Sequence, residues 1–435
     1  MEESTMDCAL SSLSDMSNGA MVQRQIVDGA YAAVKPIQHP KDSSVIEFKI
    51  YCDSDWIELN KTELEVKFRI VKADGTNLAA GDKVGLINYP GATLFSNVKV
   101  ELNDTEITYS SSNYAERAIT EVLLSYGKNA ADSWLQGGLF YKDTAGQMDN
   151  ADPAPETANA PVNEGLKQRA DFTKESKLVV TRSKLHVDLF NQAKALMNNI
   201  KMVLKFTRNS DAYCLMSNEA TPSYKVVIED MTLWIRRVGV TSQVAASVIK
   251  NPVPYNITRV VQKNFTITSG GKTYIQNNLH DGQLPTKLVL VLKRNDAHVG
   301  DYARNPFNFQ NYDVSSLALC IDGLVMDGRA LRFDFDGDQY MDGFWALNRA
   351  LDHRYRDEGT LIERKDFKSG YAFFVYDLTA SQCNDQYNDP TKKGTITADF
   401  TFAKSIPEAI TLSVYFQFDN QIIIDQAKGS VVPLY

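Results

Sequence analysis

Alternation of apolar and polar residues is the dominant pattern along the chain. Between Thr62 and Ile70, apolar residues occupy every second position from Leu64 onward and charged residues lie between them. A period of two places the two sets on opposite faces of a half-buried β-strand. The same pattern predicts strands over residues 45–51, 97–102, 184–189, 202–207, 225–235, 395–402 and 411–418. Many short strands separated by turn residues predict an all-β sandwich or barrel.

A weak internal repeat divides the chain into two halves. Four similarities occur in the same order, pairing residues 48–50 with 265–267, 62–68 with 286–292, 88–89 with 311–312, and 200–206 with 410–416. Their shared offset of about half the chain predicts two copies of one β-domain. The predicted boundaries are an N-terminal arm at 1–33, a first domain at 34–240, a linker at 241–254 and a second domain at 255–435.

Each half also contains one predicted helix. In the first half, Asn113 and Glu116 have the spacing of a capping box, and apolar residues follow at helical spacing until Gly127. In the second half, a helix is predicted from about Met341 to Tyr355. Its apolar stripe consists of Phe344, Leu347, Leu351 and Tyr355. Both helices follow a strand and a turn, the strands being residues 98–102 and 317–321, so the halves are expected to share their topology.

Three segments are predicted to lie outside the packed core. Residues 149–169 are rich in Pro, Ala, Asn and Glu, which favours an exposed loop, and residues 379–393 are the expected counterpart in the second half. Residues 1–21 have no sustained strand or helix period. We therefore expect the N-terminal arm, from residue 1 to about residue 33, to be poorly packed in the isolated protein.

Composition narrows the class of protein. The chain has 435 residues, 43% of them hydrophobic and 23% charged, which is a globular balance. No uncharged apolar run reaches the roughly 18 residues of a membrane span. Residues 1–21 contain no Lys or Arg, so a secretory signal peptide is not expected. The net charge of -8 disfavours a sequence-independent grip on nucleic-acid phosphates.

One acidic segment resembles part of a calcium-binding loop. Asp334, Asp336 and Asp338 alternate as the first ligands of such a loop do. However, Gln339 occupies the position that needs glycine, and Trp345 occupies the position of the bidentate glutamate. A solvated acidic turn before the second helix is the favoured interpretation.

Other candidate chemistry is equally weak. Residues 270–273, Gly-Gly-Lys-Thr, resemble the end of a phosphate-binding loop, but Thr266 replaces its first glycine, so a hairpin turn is preferred. The basic pairs at 236–237 and 392–393 are too short for a nucleic-acid-binding stripe. The histidines are isolated in sequence: His39, His186, His280, His298 and His353. The cysteines lack zinc-ligand spacing and are expected to be reduced thiols: Cys8, Cys52, Cys214, Cys320 and Cys383.

Four stretches carry a resemblance to a known family. Residues 55–76, 94–103, 114–128 and 139–143 are similar to the major capsid proteins of Maverick/Polinton elements and adintovirus-like viruses. The resemblance is specific over residues 45–143 and looser beyond them. It implies a double jelly roll, that is, two tandem eight-stranded β-sandwiches, with one short helix inserted in each half.

The resemblance also implies a function in assembly. Three chains would form a pseudo-hexameric capsomer, and many capsomers would tile an icosahedral shell together with penton and minor capsid proteins. The chain would reside in the virion after assembly inside the host cell. No catalytic, cofactor-binding or metal-binding residue, no cofactor and no sequence-specific contact with nucleic acid are expected.

Two other functions compete with this interpretation. Lectins also use jelly rolls, so a β-sandwich carbohydrate-binding protein is the main alternative. It predicts sugar binding by a monomer or small oligomer. A cupin-like enzyme is less favoured, because its chemistry needs clustered His and Glu ligands and the five histidines are isolated.

Overall fold

The computed structural model describes residues 26–108, 113–155, 160–248, 250–355, 357, 359–382 and 390–434. Ten strands lie in the first half of the chain: β1 (Ile26–Val34), β2 (Val45–Ile50), β3 (Trp56–Lys72), β4 (Gly85–Leu86), β5 (Phe95–Leu102), β6 (Thr105–Glu106), β7 (Val179–Lys184), β8 (Met202–Arg208), β9 (Leu215–Met216) and β10 (Tyr224–Val240). They form antiparallel sheets of order β1-β10-β3-β7 and β2-β8-β5-β6, with β4 and β9 paired separately.

The second half contains ten more strands: β11 (Val253–Ile267), β12 (Thr273–Gln283), β13 (Lys287–Arg294), β14 (Val314–Ile321), β15 (Leu324–Val325), β16 (Leu331–Arg332), β17 (Phe374–Asp377), β18 (Lys393–Phe402), β19 (Ile410–Asp425) and β20 (Ser430–Leu434). Their sheets have the orders β11-β19-β13-β17 and β12-β18-β14-β15. In addition, β20 pairs with β19, and β16 pairs with β14.

The two halves have one topology. When the eight principal strands of each half are numbered in chain order, both halves have sheets of order 1-8-3-6 and 2-7-4-5. This strand order is that of a jelly roll. The chain is therefore a double jelly roll, as predicted. We call residues 26–240 roll 1 and residues 253–434 roll 2.

Within the described residues, nine short α-helices connect the strands: α1 (Pro90–Thr93), α2 (Tyr114–Ser125), α3 (Lys128–Ala131), α4 (Glu164–Thr173), α5 (Asp211–Cys214), α6 (Ser242–Val248), α7 (Asn295–Val299), α8 (Met341–Ala350) and α9 (Arg364–Lys368). Both α2 and α8 lie between the fifth and sixth strands of their roll. The predicted equivalence of the two helices is confirmed. None of the helices in the described ranges is long and apolar enough to cross a membrane.

The core follows the period-two pattern. On β3, the side chains of Leu64, Val66, Phe68 and Ile70 are at most 1% exposed, and they face the interior of roll 1. Strand β3 is longer than the predicted 62–70 segment. It pairs along its length with β10, with two register shifts: β10 has an extra residue between Ile228 and Asp230, and β3 has extra residues between Glu58 and Glu63. The irregularity in β3 interrupts its alternation, so the pattern alone underestimates the strand.

Two of the four repeat pairings are wrong. Residues 48–50 lie in β2 and residues 265–267 in β11, while residues 200–206 reach into β8 and residues 410–416 lie in β19. Such short apolar alternation is common to all half-buried strands, so it matched non-equivalent ones. The other two pairings join equivalent places. In particular, Tyr89 and Tyr312 both precede the fourth strand of their roll, and both have positive φ angles, 57° and 46°.

Two predicted segments have a different structure. Residues 184–189 are not a strand, because β7 ends at Lys184 and a 3-10 turn follows at Asp188–Asn191. Residues 149–169 are not simply an exposed loop, because α4 begins inside them and Arg169 is fully buried. Asn163 stabilises the start of α4 by accepting a hydrogen bond from the Leu166 amide at 3.4 Å.

The helix ends and one turn also differ from prediction. Asn113 makes no capping hydrogen bond to α2, and the second helix ends at Ala350, which leaves Tyr355 95% exposed beyond it. Residues 270–273 do not form a hairpin, because β11 and β12 belong to different sheets. The residues instead connect the two sheets of roll 2.

The predicted arm and linker include regular structure. Strand β1 begins at Ile26, inside the predicted arm at 1–33, because its backbone pairs with β10. Helix α6 and the start of β11 lie inside the predicted linker at 241–254. Of the arm expected to be poorly packed, residues 1–25 lie outside the described residues, whereas residues 26–33 are paired in β1. Residues 383–389 of the predicted loop at 379–393 also lie outside the described residues.

Candidate functional site: the interface between the two rolls

The outer face of one roll 2 sheet is buried beneath roll 1. On β13, the leucines Leu288, Leu290 and Leu292 face the core of roll 2, so Val289, Val291 and Lys293 point to the opposite face. The latter three are nevertheless only 4%, 4% and 0% exposed. The elements of roll 1 that reach this face include α2 and the turn Asp188–Asn191. We call this contact the inter-roll interface.

A buried ion pair lies in the inter-roll interface. The Lys293 Nζ atom donates to Glu116 Oε2 on α2 at 2.5 Å, and the side chains are 0% and 4% exposed. Glu116 therefore pairs across the interface and does not complete the predicted capping box. Because each buried charge depends on the other for compensation, this contact fixes the position of α2 on β13.

A second charged group is centred on Glu121 of α2. Its carboxylate contacts Arg117 at 2.7 Å and the His186 ring at 2.8 Å, and it accepts a hydrogen bond from the Tyr415 hydroxyl of roll 2 at 3.3 Å. Burial alone would raise the pKa of Glu121, but Arg117 and His186 outweigh burial and hold it far below its ordinary value. Glu121 is thus a stable anion that joins the rolls.

Arg117 extends this network to the edge of roll 2. Its guanidinium also contacts the Asp188 carboxylate at 2.7 Å. Asp188 in turn accepts a hydrogen bond from the backbone amide of Val260 on β11 at 3.3 Å. Since β11 pairs only with β19 within the described sheet, this contact satisfies one amide on its open edge.

The insertions between the fifth and sixth strands also meet. Arg169 of α4 is fully buried and contacts Asp143 at 2.6 Å, and Asp143 accepts a hydrogen bond from the Asn305 side chain of roll 2 at 3.0 Å. The Tyr371 hydroxyl of roll 2 donates to the Asp143 carbonyl oxygen at 2.8 Å. An ion pair between Lys142 and Asp366 lies beside them. The segment predicted as a loop therefore carries an anchor of the inter-roll interface.

One histidine is placed against the buried ion pair. The His298 Nε2 atom lies 3.2 Å from the Asn264 side-chain amide, which donates to Asn113 in roll 1 at 3.1 Å. Burial first, and the nearby Lys293 charge second, lower the pKa of His298 to about 4. The ring is therefore neutral near pH 7.

The corresponding sheet of roll 1 has an exposed, charged outer face. Trp234 on β10 donates to Glu65 on β3 at 3.1 Å, and the Arg182 guanidinium of β7 lies 4.8 Å from the Trp234 ring centroid while contacting Glu65 at 2.8 Å. Partial burial opposes ionisation of Glu65, but hydrogen bonds from Arg182 and Trp234 outweigh it and lower its pKa. Val180, beside them on β7, is 53% exposed.

An exposed apolar cluster lies on roll 2. It consists of Leu324, Val325, Met341 and Trp345, which are 77%, 41%, 44% and 49% exposed. Ion pairs between Arg329 and Asp342, at 3.1 Å, and between Arg349 and Asp327 tie the segment after β15 to α8. We call these four residues the α8 patch. Exposed apolar residues flanked by charged ones are typical of a protein contact.

The carboxylates of the acidic segment at residues 334–338 do not converge on one point. Asp336 pairs with Lys404 at 2.9 Å and Asp338 with Lys368 at 2.6 Å, whereas Asp334 accepts the Gly337 amide hydrogen bond at 2.9 Å. Among the described residues, no group of three or more His, Cys, Asp or Glu side chains is arranged to hold a metal ion.

The histidines and cysteines occupy separate places. His186 contacts Glu121, His280 contacts the Gln283 carbonyl oxygen, His298 contacts Asn264, His353 contacts the Leu124 carbonyl oxygen, and His39 accepts the Lys41 amide hydrogen bond. Cys52, Cys214 and Cys320 are free thiols, and burial raises the pKa of the first two. Cys8 and Cys383 lie outside the described residues.

A cleft of about 610 Å³ opens between the two rolls. It is lined mainly by polar and charged side chains, among them Asp149, Asn308, Lys404 and Glu408. Tyr312 is the single aromatic residue among the described residues of its lining.

Few local features of the sequence predict the residues of the inter-roll interface. Lys293 ends an apolar alternating run, Glu116 resembles a capping residue, and Arg169 follows a polar segment. Each is read locally as a solvated charge, and only long-range packing brings it to a buried partner. The one available signal was α2, whose apolar residues extend around more than one face.

The chain matches no protein-family profile. A sequence relative is an uncharacterized protein of Caenorhabditis elegans, which is 23% identical over 395 residues that cover 87% of this chain and 90% of the relative.

Solved structures of viral proteins have the same fold. A chain of the Sputnik virophage is 10% identical and has a TM-score of 0.66, covering 96% of this chain and 90% of its own. A chain of the PBCV-1 virus capsid is 12% identical, with a TM-score of 0.60 and coverages of 96% and 99%. The mavirus major capsid protein is 11% identical, with a TM-score of 0.56 and coverages of 96% and 94%. At these identities, the similarity establishes the double jelly-roll fold over nearly the whole chain.

Proposed function

We propose that this chain is a viral major capsid protein. Three copies form a capsomer of pseudo-hexameric outline, and capsomers tile an icosahedral shell. The observation that carries the proposal is the joining of two rolls of identical strand order through a buried, charged interface. A trimer of such chains presents six similar rolls around one axis, which suits closed symmetry within the capsomer.

The similarity to capsid chains along nearly the full length supports this function over binding of a small ligand. We further propose that the protein belongs to the Maverick/Polinton group, because the local resemblance covers residues 45–143. The two rolls act as the two domains of the chain, joined by the segment 241–252. The protein's role is structural, without catalytic, cofactor-binding or metal-binding residues, and its place is the virion.

The proposed partners are further copies of the chain, with penton and minor capsid proteins at other positions of the shell. The acidic net charge of -8 limits adhesion to the genome, so packaging falls to other components.

Light scattering and electron microscopy of the purified protein test the proposal. We expect a mass three times that of the 48.6 kDa chain and particles of hexagonal outline. A strict monomer at micromolar concentration that binds immobilised oligosaccharides would overturn the proposal in favour of a carbohydrate-binding protein.

A further inference from the structure

The two rolls differ in whether the outer face of the sheet of order 1-8-3-6 is covered. In roll 2, the outer face of β11-β19-β13-β17 is buried beneath roll 1, and Val375 on its sixth strand is 1% exposed. In roll 1, Val180 lies on the sixth strand and also points outward, since it pairs with Lys67. It is 53% exposed. Thus one copy of this sheet face is covered within the chain and the other is open to solvent.

The open face has the composition of a protein interface. Trp234 is held between Glu65 and Arg182, and Arg236 lies over the ring of Tyr31 at 5.4 Å. Tryptophan, tyrosine and arginine dominate the energetically important centres of protein contacts. Because these side chains are already held by one another, little additional ordering is required when a partner binds.

We propose that the open face of roll 1 binds roll 2 of a second copy of the chain, through the α8 patch. The inference rests on the proposed function and specifies its contact. Within the chain, the helix after the fifth strand of roll 1, α2, lies on the sheet of roll 2. In roll 2, the helix at the same topological position is α8. Its residues Met341 and Trp345 are exposed, with no sheet among the described residues covering them. The open face of roll 1 and the α8 patch are therefore the two surfaces that meet in the contact between copies.

This contact is heterologous, since it joins two different surfaces of identical chains. A heterologous contact closes a ring when the rotation that relates neighbouring copies is a whole-number fraction of a full turn. Three copies, each contributing one inter-roll interface and one contact between copies, place six rolls around the axis. The proposal therefore predicts which surfaces close the trimer.

Two substitutions test the contact from its two sides. Val180→Asp places a charge on the open face of roll 1, and Trp345→Asp places one on the α8 patch. We expect each variant to lose trimer mass in light scattering, with at least ten-fold weaker association. Val299→Asp is the matched control, because Val299 is 72% exposed at the end of α7 and belongs to neither surface. It should remain a trimer, and far-UV circular dichroism should show the spectrum of the folded wild-type chain for all three variants.

Mixing the two variants distinguishes this contact from a symmetric one. A Val180→Asp chain retains an intact α8 patch, and a Trp345→Asp chain retains an intact open face, so the mixture should form a complex of two chains while each variant alone stays monomeric. Met341→Asp replaces Trp345→Asp if the latter does not fold. Trimers of both variants would overturn the contact but leave the proposed function intact. A monomeric wild-type chain would overturn the proposed function itself.

Discussion

Lys293 of β13 donates to Glu116 of α2 across the inter-roll interface, and both side chains are shielded from water. Two charges removed from solvent stabilise a structure only while each compensates the other. The relation between these two residues therefore ties the position of α2 to the sheet of roll 2.

Removing one member of this pair should destabilise the protein strongly. We expect Lys293→Met or Glu116→Leu to lower the free energy of unfolding by about 3–5 kcal/mol, because each leaves a buried, uncompensated charge. The double variant should be closer to the wild type than either single variant. Urea denaturation measures these differences. Lys201→Met, which removes a half-exposed partner of Asp104, is the control and should cost at most about 1 kcal/mol. Single variants as mild as this control would contradict the prediction.

Arg169 should be essential to the packing of α4. We expect Arg169→Met to lower the free energy of unfolding by about 3 kcal/mol or more, since Asp143 would keep its charge in a buried place. Lys167→Met on the same helix should change it by less than about 0.5 kcal/mol, because Lys167 is exposed. Equal effects of the two substitutions, measured by denaturation at pH 7, would show that the segment is the exposed loop first predicted.

His298 should make stability depend on pH. Its pKa is lowered to about 4 in the folded protein, whereas the ordinary value is 6.5. The stabilising contribution is complete above pH 6.5 and is lost as the pH falls toward 4, because the unfolded chain binds the proton first. Denaturation at a series of pH values should show a flatter profile for His298→Gln in this range. A slope for His298→Gln identical to that of the wild type would refute the assignment.

The N-terminal segment should contribute to assembly more than to folding. Deletion of residues 1–21 leaves β1 intact, so we expect an unchanged melting temperature with impaired shell formation. Deletion of residues 1–34 also removes β1 and exposes the edge of β10, so the melting temperature should fall. Scanning calorimetry and electron microscopy measure the two effects. A lower melting temperature for the shorter deletion would place residues 1–21 in the packed structure.

Much of the fold could be predicted because its signals are local. The alternation in β3 identified a strand and its buried face, and the two helices were found at equivalent places in the two halves. Residues 184–189 misled the same reasoning, because Leu185, Val187 and Leu189 alternate and are buried although they lie after the end of β7 and at the start of a 3-10 turn. The irregular pairing of β3 with β10 had no local signature either, since it depends on both strands.

The inter-roll interface could not be predicted in the same way. Glu116 and Lys293 are 177 residues apart, and Asp143 and Asn305 are 162 residues apart. A buried charge and a solvated charge look alike in one sequence, because burial is decided by a distant partner. The resemblance to capsid proteins supplied the number of rolls but no residue of the contact between them.

The covalent connection through α6 has a consequence for the kinetics and evolution of a ring. A tether gives the joined rolls an effective concentration on the order of millimolar, so a closed ring needs three contacts between separate chains, where six separate rolls would need six. The tandem arrangement also allows the two rolls to differ in sequence. Six copies of a single-roll protein all meet through one type of interface. The tandem chain has two types, the inter-roll interface and the contact between copies, and their residues can mutate independently. The inter-roll interface around Lys293 is therefore free to become permanently buried. The contact between copies is free to stay polar enough to keep the unassembled chain in solution.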